Sequence, residues 1–299
     1  MVDKESCCGP SVPATTHGAA QPVGGAAGVR GRDVGDMVLI PGGTFRMGCD
    51  RREGHPSDGE GPSRLVEVAP FLIDITSVSN ARFAHFIEAT GYSTDAERLG
   101  WSFVFAGLLP DDFQPTRGVA AAPWWREVFG ADWRHPEGPQ SDLGGRDNLP
   151  VVHISHHDAL AFCHWAGKRL PTETEWEKAA RGGLEAKRFP WGDDETPGGQ
   201  HRCNVWQGAF PSDNTKVDGF YGLAPVDAFM QNDFGLYNIV GNCWQWCANW
   251  FDDEHRAMRG GSFLCHPSYC WRYRCAARSA STPDSTTGHV GFRCVRDAG

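Results

Sequence analysis

Residues 165–175 read WAGKRLPTETE and contain the end of one predicted helix and the start of the next. Gly167 follows a helical pattern and is typical of a helix C-terminus. Thr172 and Glu175 have the spacing of a capping box, in which each side chain satisfies a free backbone N–H at a helix N-terminus. Two helix ends so close together predict short helices joined by loops.

Glycine and proline interrupt most other stretches of the chain. Together they make up about 19% of the 299 residues, against an average near 12%. This density argues against a helical bundle. The 12 tryptophans and a hydrophobic fraction of 40% argue against wholesale disorder. We therefore predict an α+β fold, a single loop-rich domain with little regular secondary structure.

Local patterns predict three helices. The first follows Ser79, a plausible N-cap, and stops at Gly91. The second spans about residues 157–166, and the third runs from the capping box to Arg181. The residues expected on one side of the second helix are Leu160, Cys163 and Ala166.

Strands are predicted mainly near the start of the ordered chain. Residues 37–48 fit two short strands around a Pro-Gly-Gly turn, and residues 65–68 fit another strand. The stretches 95–150 and 184–299 are expected to be mostly loops and short strands. Loops of this length in a compact domain usually carry function.

Residues 1–35 have no periodic pattern and are expected to form a flexible N-terminal tail, with the domain spanning 36–299. No secretory signal or membrane span is visible, so we expect a cytoplasmic protein with reduced thiols and no membrane partner. The net charge of −9 argues against binding nucleic acid, which requires a basic surface.

Two of the 11 cysteines, Cys265 and Cys270, lie five residues apart in a predicted loop. Two soft thiolates select Cu(I) or Zn(II), and a site with few ligands favours Cu(I). Three basic neighbours, Arg272, Arg274 and Arg278, would help keep the thiolates ionised. A local disulfide or two inert core cysteines remain alternatives.

Six other cysteines can be explained by a structural role alone. Cys163 and Cys294 could form a long-range disulfide that staples a loop-rich fold, or remain two buried thiols. Cys243 and Cys247 are spaced like half of a zinc site, but no second half with matching spacing follows. The simplest prediction for these two, and for Cys203 and Cys275, is core packing.

Several segments together resemble the formylglycine-generating enzyme family, also called sulfatase-modifying factors, over about residues 37–297. The longer ones are IPGGTFRMG (40–48), WAGKRLPTE (165–173), GLYNIVGN (235–242) and GGSFLCHPSYC (260–270). The shorter ones are PWW (123–125), NVWQG (204–208), RYR (272–274), AARS (276–279), TPD (282–284) and GFRC (291–294). The segment with both cysteines is the most specific.

The resemblance implies a fold similar to C-type lectins, with 36–299 as the catalytic domain. It also implies oxidation of a cysteine within a Cys-x-Pro-x-Arg segment of an unfolded or nascent sulfatase to Cα-formylglycine. That reaction uses O₂, a thiol reductant and Cu(I) held by Cys265 and Cys270. A linear pair of thiolates leaves room for the substrate sulfur.

Further site residues follow from the resemblance. Ser262 matches a polar active-site residue, Trp244 an aromatic residue of the pocket, and His266 and Tyr269 positions along the peptide groove. Simpler roles for Ser262 and Trp244 are a turn and core packing. Some relatives bind the substrate arginine with an acid at the position of Trp101, which leaves Ser102 and its neighbours for that role here.

The resemblance also implies two Ca²⁺ sites, although ordinary loop hydrogen bonding would explain the same residues. The first consists of Asn204 and Asp218 with the carbonyl groups of Val205 and Phe220. The second consists of Asn238, the carbonyl groups of Gly241 and Cys243, and Gln245. Gln245 stands where the family usually has glutamate, and the loss of a carboxylate weakens a calcium site.

Two further motifs depart from the pattern. His153, His156 and His157 form a small histidine cluster, which we expect to be exposed polar residues at a helix start rather than a metal site. In the tail, Cys8-Gly9-Pro10-Ser11-Val12 matches Cys-x-Pro-x without the arginine. It is either a chance match or a pseudosubstrate, or it delivers copper through Cys7 and Cys8.

Three functions are therefore compared. The first is a copper-dependent oxidase acting on a sulfatase cysteine. The second is iron-dependent C–S bond formation, known in relatives with an extra helical domain that this chain lacks. The third is a non-catalytic, lectin-like paralogue that only binds a sulfatase or peptide. Inactive paralogues lack the two copper cysteines, whereas this chain has both, which favours the oxidase.

Overall fold

Short helices connect small sheets in the computed structural model, which describes residues 36–51 and 53–299. The helices are α1 Asn80–Thr90, α2 Asp95–Leu99, α3 His156–Ala166 and α4 Glu173–Arg181. None of the helices in this part of the chain is long and apolar enough to cross a membrane. The tail at residues 1–35, with Cys7 and Cys8, lies outside the described residues.

The strands are short and spread along the chain. They are β1 Met37–Ile40, β2 Gly43–Met47, β3 Arg64–Val68, β4 Phe71–Asp74, β5 Trp101–Phe105, β6 Gly118–Val119, β7 Ala122–Phe129, β8 Gly208–Ala209, β9 Asp213–Asn214, β10 Trp244–Trp250, β11 Arg256–Arg259, β12 Ser279–Ser281, β13 Val290–Gly291 and β14 Val295–Asp297. Most residues outside these elements form turns and loops. The predicted loop-rich α+β fold is confirmed.

Sheet pairing brings distant parts of the chain together. One sheet has the order β1-β4-β14, which joins the beginning of the described chain to its end. A second has the order β12-β11-β10-β13, with β10 and β13 parallel. The predicted strands β1 and β2 are both present, but β2 pairs with β3 instead of β1. The turn at Pro41 therefore connects two sheets.

The helix boundaries follow local capping chemistry. Ser79 accepts a hydrogen bond from the backbone N–H of Arg82, and Gly91 ends α1 in the left-handed conformation. The predicted capping box of Thr172 and Glu175 opens α4. A further capping box, Thr94 with Glu97, opens the short helix α2. Helix α2 was not predicted, although Thr94 and Glu97 have the same capping-box spacing as Thr172 and Glu175.

Aromatic side chains fill the main core. Phe83 of α1 packs edge-to-face against Trp133 and stacks on Phe162 of α3, at centroid distances of 5.2 and 6.0 Å. Within α3, Cys163 is buried but Leu160 is 41% exposed. The predicted apolar side of α3 is therefore wrong at Leu160, because Ala159, Phe162 and Cys163 face the core instead.

A buried arginine joins α4 to β11. Arg259 is fully buried and donates to Glu177 of α4 at 2.5 Å and to the carbonyl of Cys275 at 2.9 Å. Its other terminal nitrogen lies 3.3 Å from Glu173. Arg181 bonds the same Glu177 at 2.7 Å. The positive charges of these two arginines are therefore paired with buried carboxylates, as buried ions require.

Replacing Arg259 with methionine should destabilise the protein by about 3 kcal/mol, because two carboxylates would lose a buried cation. Urea denaturation monitored by tryptophan fluorescence measures this change. Arg46→Met is the matched control, since Arg46 pairs with Glu185 at the surface and should contribute about 0–1 kcal/mol. Equal effects of the two substitutions would contradict the role assigned to Arg259.

Candidate active site around Cys265 and Cys270

The two predicted copper cysteines lie in the loop of residues 260–270, which begins directly after β11. Gly260 and Gly261 have φ values of +99° and +73°. A Cβ atom on Gly261 would lie 2.9 Å from the Cβ of Tyr273 and 3.0 Å from its Cα. Glycine is therefore required there by both conformation and space.

The cysteine sulfurs are adjacent and almost enclosed. Cys265 Sγ and Cys270 Sγ lie 3.1 Å apart, and the residues are 2% and 1% exposed. The backbone N–H of Cys270 donates to the carbonyl of His266 at 2.8 Å, which bends the loop back on itself. The backbone N–H of Ser262 donates to Cys265 Sγ at 3.4 Å. This donor stabilises negative charge on the sulfur.

The residues present fit a soft, low-coordinate metal ion such as Cu(I), because the closest side-chain donors are two sulfurs. The sequence predicts that Arg272, Arg274 and Arg278 keep the thiolates ionised. The structure directs these guanidinium groups to carboxylates instead. The donor that contacts the Cys265 sulfur is the backbone N–H of Ser262.

Ser262, which belongs to this loop, and Trp244 are both buried. The Ser262 hydroxyl accepts a hydrogen bond from the backbone N–H of Leu264 at 3.3 Å, which agrees with the turn role. Trp244 lies at the start of β10 in the same continuous core as both cysteines. Its indole N–H is buried and has no partner among the described residues. Such an unsatisfied donor remains available to a bound group.

Partly exposed aromatic rings surround Tyr269, next to Cys270. Tyr269 stacks on Phe210 at a centroid distance of 4.5 Å and an interplanar angle of 8°. Trp124 meets both rings edge-on, at 5.0 and 5.2 Å. We call Trp124, Phe210 and Tyr269 the aromatic cluster. Trp124 and Phe210 were not predicted as site residues, although PWW at 123–125 is among the segments that resemble the family.

His266 is half-buried in the same loop. Its Nδ1 lies 2.7 Å from the hydroxyl of Ser268. Burial lowers the pKa of His266, and the negative charge of Glu195 opposes that shift. His266 directly follows Cys265, and Tyr269 directly precedes Cys270.

Ser102 does not belong to this site, and its predicted role in binding the substrate is wrong. The residue is fully buried on β5. Its hydroxyl lies 2.8 Å from Thr286 Oγ1 and 2.7 Å from His153 Nδ1. Because these partners occupy the hydroxyl inside the core, a peptide cannot reach it.

The four residues of the first predicted calcium site lie together. The carboxylate of Asp218 accepts hydrogen bonds from the backbone N–H groups of Val205 at 3.3 Å and Phe220 at 3.0 Å. The amide nitrogen of Asn204 donates to the carbonyl of Gly222 at 2.8 Å. This leaves the Asn204 side-chain oxygen and the Asp218 carboxylate as hard donors, which fit Ca²⁺.

The second predicted calcium site does not fit a divalent cation. Gln245 Oε1 accepts from Trp176 Nε1 at 2.9 Å and from Arg293 Nε at 2.8 Å, so both its lone pairs are used. Gln245 Nε2 faces the carbonyls of Asn238 and Ile239 at 3.3 and 3.2 Å. The Asn238 Oδ1 atom is buried and lacks a partner in the described chain, but the nearby charge is the guanidinium of Arg293. A positive ion would be repelled there.

The other cysteines of residues 36–51 and 53–299 are buried or half-buried free thiols. Cys163 Sγ and Cys294 Sγ lie 3.5 Å apart in the core as two buried thiols, so the structure has the second of the two predicted alternatives and not the disulfide. Burial raises the pKa of Cys294, and the hydrogen bond with Cys163 raises it further. Within residues 36–51 and 53–299, no group of three or more histidine, cysteine or acidic side chains could hold a metal ion. Cys243 and Cys247 are buried, as core packing predicts.

The histidine cluster is interior, so the expectation of exposed residues is wrong for His153 and His156. Both are buried, whereas His157 is 34% exposed in its side chain and pairs with Asp95 at 3.0 Å. His153 joins Ser102 to the carbonyl of Pro136, which its Nε2 approaches to 2.9 Å. Burial lowers the pKa of His153 to about 4.

Comparison with known proteins identifies relatives along almost the whole chain. Residues 25–298 match the family described as sulfatase-modifying factor enzyme 1-like domain. A formylglycine-generating enzyme from Thermomonospora curvata is 55% identical, over 87% of this chain and 93% of that protein. An inactive C-alpha-formylglycine-generating enzyme 2 from Bos taurus is 46% identical, over 88% of this chain and 89% of that protein.

A solved structure supports the same fold. PvdO from Pseudomonas aeruginosa matches with a TM-score of 0.65 and 25% sequence identity. The match covers 90% of this chain and 96% of PvdO. The relatives include enzymes and a protein named inactive, so the residues of the site must distinguish between these functions.

The pKa of His153 predicts a loss of stability in acid. Its folded pKa of about 4 lies below the ordinary 6.5, so the unfolded chain binds a proton first as the pH falls. This histidine should cost about 2 kcal/mol between pH 8 and pH 5. His153→Gln, which can keep both hydrogen bonds, should lose less stability over that range. Urea denaturation at each pH measures the difference, and parallel curves would contradict the prediction.

Proposed function

Because the chain belongs to the sulfatase-modifying factor enzyme 1-like family, we propose that it is a formylglycine-generating oxidase. It converts the cysteine of a sulfatase Cys-x-Pro-x-Arg segment to Cα-formylglycine. The observation that carries this proposal is the pair of enclosed sulfurs 3.1 Å apart in the loop of residues 260–270. The named enzymes among its relatives support the same conclusion.

The proposed metal is Cu(I), which Cys265 and Cys270 would hold through their sulfurs. When bound, it would supply the one-electron chemistry that lets O₂ react with an organic thiol. The chain contributes the near absence of solvent at both sulfurs and the N–H of Ser262 directed at one of them. Low solvent access strengthens that hydrogen bond and suppresses side reactions.

The electron count requires two further thiol groups. Conversion of the substrate CH₂–SH group to an aldehyde, with release of H₂S, removes two electrons from carbon. O₂ accepts four electrons when it is reduced to two water molecules, and the aldehyde oxygen accounts for one of these waters. Two thiol groups of the proposed external reductant supply the other two electrons and leave as one disulfide.

The substrate is proposed to enter as an extended, unfolded or nascent sulfatase segment in the cytoplasm. Its cysteine must reach a nearly enclosed sulfur pair, which a folded sulfatase could not present easily. The aromatic cluster lies next to Cys270 and offers ring faces to apolar residues of the peptide. His266 borders the peptide beside Cys265.

A non-catalytic, sulfatase- or peptide-binding role is the alternative, because the inactive relative is also similar over most of the chain. Such a protein needs the aromatic cluster but not the two thiolates. Substitution of one cysteine therefore separates the two proposals.

Cys270→Ser should lower turnover by on the order of a hundredfold, because a hydroxyl replaces one of two soft ligands. Mass spectrometry follows a Cys-x-Pro-x-Arg peptide incubated with Cu(I)-loaded protein, O₂ and a thiol. The control Cys49→Ser changes a half-exposed thiol near Arg51, which should leave turnover unchanged. Conversion by Cys270→Ser at the wild-type rate, or by none of the proteins despite copper loading, would reject the oxidase.

We propose one bound Ca²⁺ per chain, at Asn204, Val205, Asp218 and Phe220. Asp218→Asn should abolish it, because the site would lose its carboxylate. Gln245→Glu should add a second Ca²⁺, since one carboxylate oxygen would then face the carbonyls of Asn238 and Ile239. Elemental analysis after dialysis against calcium gives the stoichiometry. Two ions in the wild type, or one in Gln245→Glu, would contradict this assignment.

A further inference from the structure

The proposed substrate carries an arginine four residues after its cysteine, and the site must supply an acid for it. Ser102 is excluded because it is buried. Trp101 is also neutral, and its ring packs edge-on against Phe103 at 4.9 Å. The need for such an acid rests on the proposed function. The candidates are the carboxylates around the loop of residues 260–270, which we call the cysteine loop.

Most carboxylates near this loop are already neutralised. Asp58 bonds Arg272 at 2.6 Å, and Glu60 bonds Arg274 at 2.7 Å. Glu173 is shared by Arg259 and Arg278. These acids are buried with their partners, so none of them can receive another cation without breaking an ion pair.

Glu195 differs from these acids. It is half-buried, and it forms no ion pair with a lysine, arginine or histidine of the described chain. Its Oε1 accepts a hydrogen bond from the hydroxyl of Tyr273 at 2.6 Å. Its Oε2 has no hydrogen-bond partner within the described residues. The carboxylate is thus held in place on one side and open on the other.

Tyr273 connects Glu195 to the cysteine loop. Its ring is fully buried, and its backbone would touch any side chain placed on Gly261. Burial raises the pKa of Tyr273, and the charge of Glu195 raises it further, with smaller effects from Cys203 and Cys265. Tyr273 therefore packs against the cysteine loop while its hydroxyl is bonded to Glu195.

Glu195 is thus joined to the loop of residues 260–270 by two contacts. One is its 2.6 Å hydrogen bond with Tyr273, and the other is the packing of Tyr273 against Gly261. Four extended residues span at most about 14 Å. A substrate cysteine at the sulfur pair can therefore place an arginine side chain near Glu195.

We propose that Glu195 is a specificity-determining residue, which binds the guanidinium of the substrate arginine through its open carboxylate oxygen. Tyr273 is the positioning residue, because its hydroxyl fixes the carboxylate before the peptide arrives. A fixed carboxylate forms a charge-assisted hydrogen bond at a lower cost in conformational entropy than a mobile one.

A peptide-binding experiment tests this proposal without requiring the oxidation reaction. Fluorescence anisotropy compares labelled Ser-x-Pro-x-Arg and Ser-x-Pro-x-Gln peptides, in which serine replaces the reactive cysteine. Wild-type protein should bind the arginine peptide about tenfold more tightly, the worth of one charge-assisted hydrogen bond at a half-buried site. Glu195→Gln keeps an acceptor for Tyr273 and removes only the charge, so it should bind the two peptides equally.

Two further variants sharpen the comparison. Glu254→Gln removes an exposed carboxylate from the β10–β11 connection and should keep the wild-type preference. Glu195→Lys should instead prefer a Ser-x-Pro-x-Glu peptide. The assignment is overturned if wild-type protein binds both original peptides equally or binds neither. It is also overturned if Glu195→Gln keeps the arginine preference, or weakens binding of both peptides by the same factor.

The ratio of the affinities for the two peptides tests the assignment of Glu195, and the turnover assay tests the oxidase proposal. If wild-type protein prefers the arginine peptide through Glu195 but converts no cysteine peptide, the oxidase proposal fails and the assignment of Glu195 stands. If the cysteine peptide is converted but Glu195→Gln does not change the arginine preference, the assignment fails alone.

Discussion

The buried contact of Arg259 with Glu177 and Glu173 is the constraint on which the site depends. Arg259 ends β11, and the cysteine loop begins at the next residue. The loop therefore starts from a point that α4 holds through an ion pair of 2.5 Å. Because the buried guanidinium cannot exchange its carboxylate partners for water, the start of the loop stays fixed as long as the protein is folded.

The other end of the loop is held by the same chemistry. Arg272 and Arg274 follow Cys270 and bond Asp58 and Glu60, which belong to a segment more than 200 positions earlier in the sequence. Ion pairs thus replace the regular backbone ladders that the loop lacks. The two sulfurs can lie 3.1 Å apart inside a loop because both of its ends are clamped.

The parts of this structure that depend on neighbouring residues were predictable, and those that depend on distant ones were not. Ser79 and the Thr172–Glu175 capping box were assigned correctly, because their hydrogen bonds close within one helical turn. The cysteine loop was found through its short spacing and its resemblance to a family. Ser102 was misassigned, because its burial results from contacts with Thr286, 184 residues away. Glu195 was overlooked because its partner Tyr273 is 78 residues distant.

Paired charges hold the site in place, whereas an unpaired charge at its edge can recognise a ligand. Inside the protein, the carboxylates Asp58, Glu60 and Glu173 around the cysteine loop are each paired with an arginine. The side-chain amide of Gln245 donates to two backbone carbonyl groups, whereas a carboxylate at that position would need a metal ion between itself and those carbonyls. At the rim, Glu195 has a hydroxyl for a partner and, among the residues that the structure describes, no cation. A charge left without a counterion at the edge of a neutral interior attracts a ligand of opposite sign more strongly than one in bulk water, because the low-dielectric wall behind it reduces screening. The same neutralisation that fixes the cysteine pair therefore leaves the rim free to select a basic peptide.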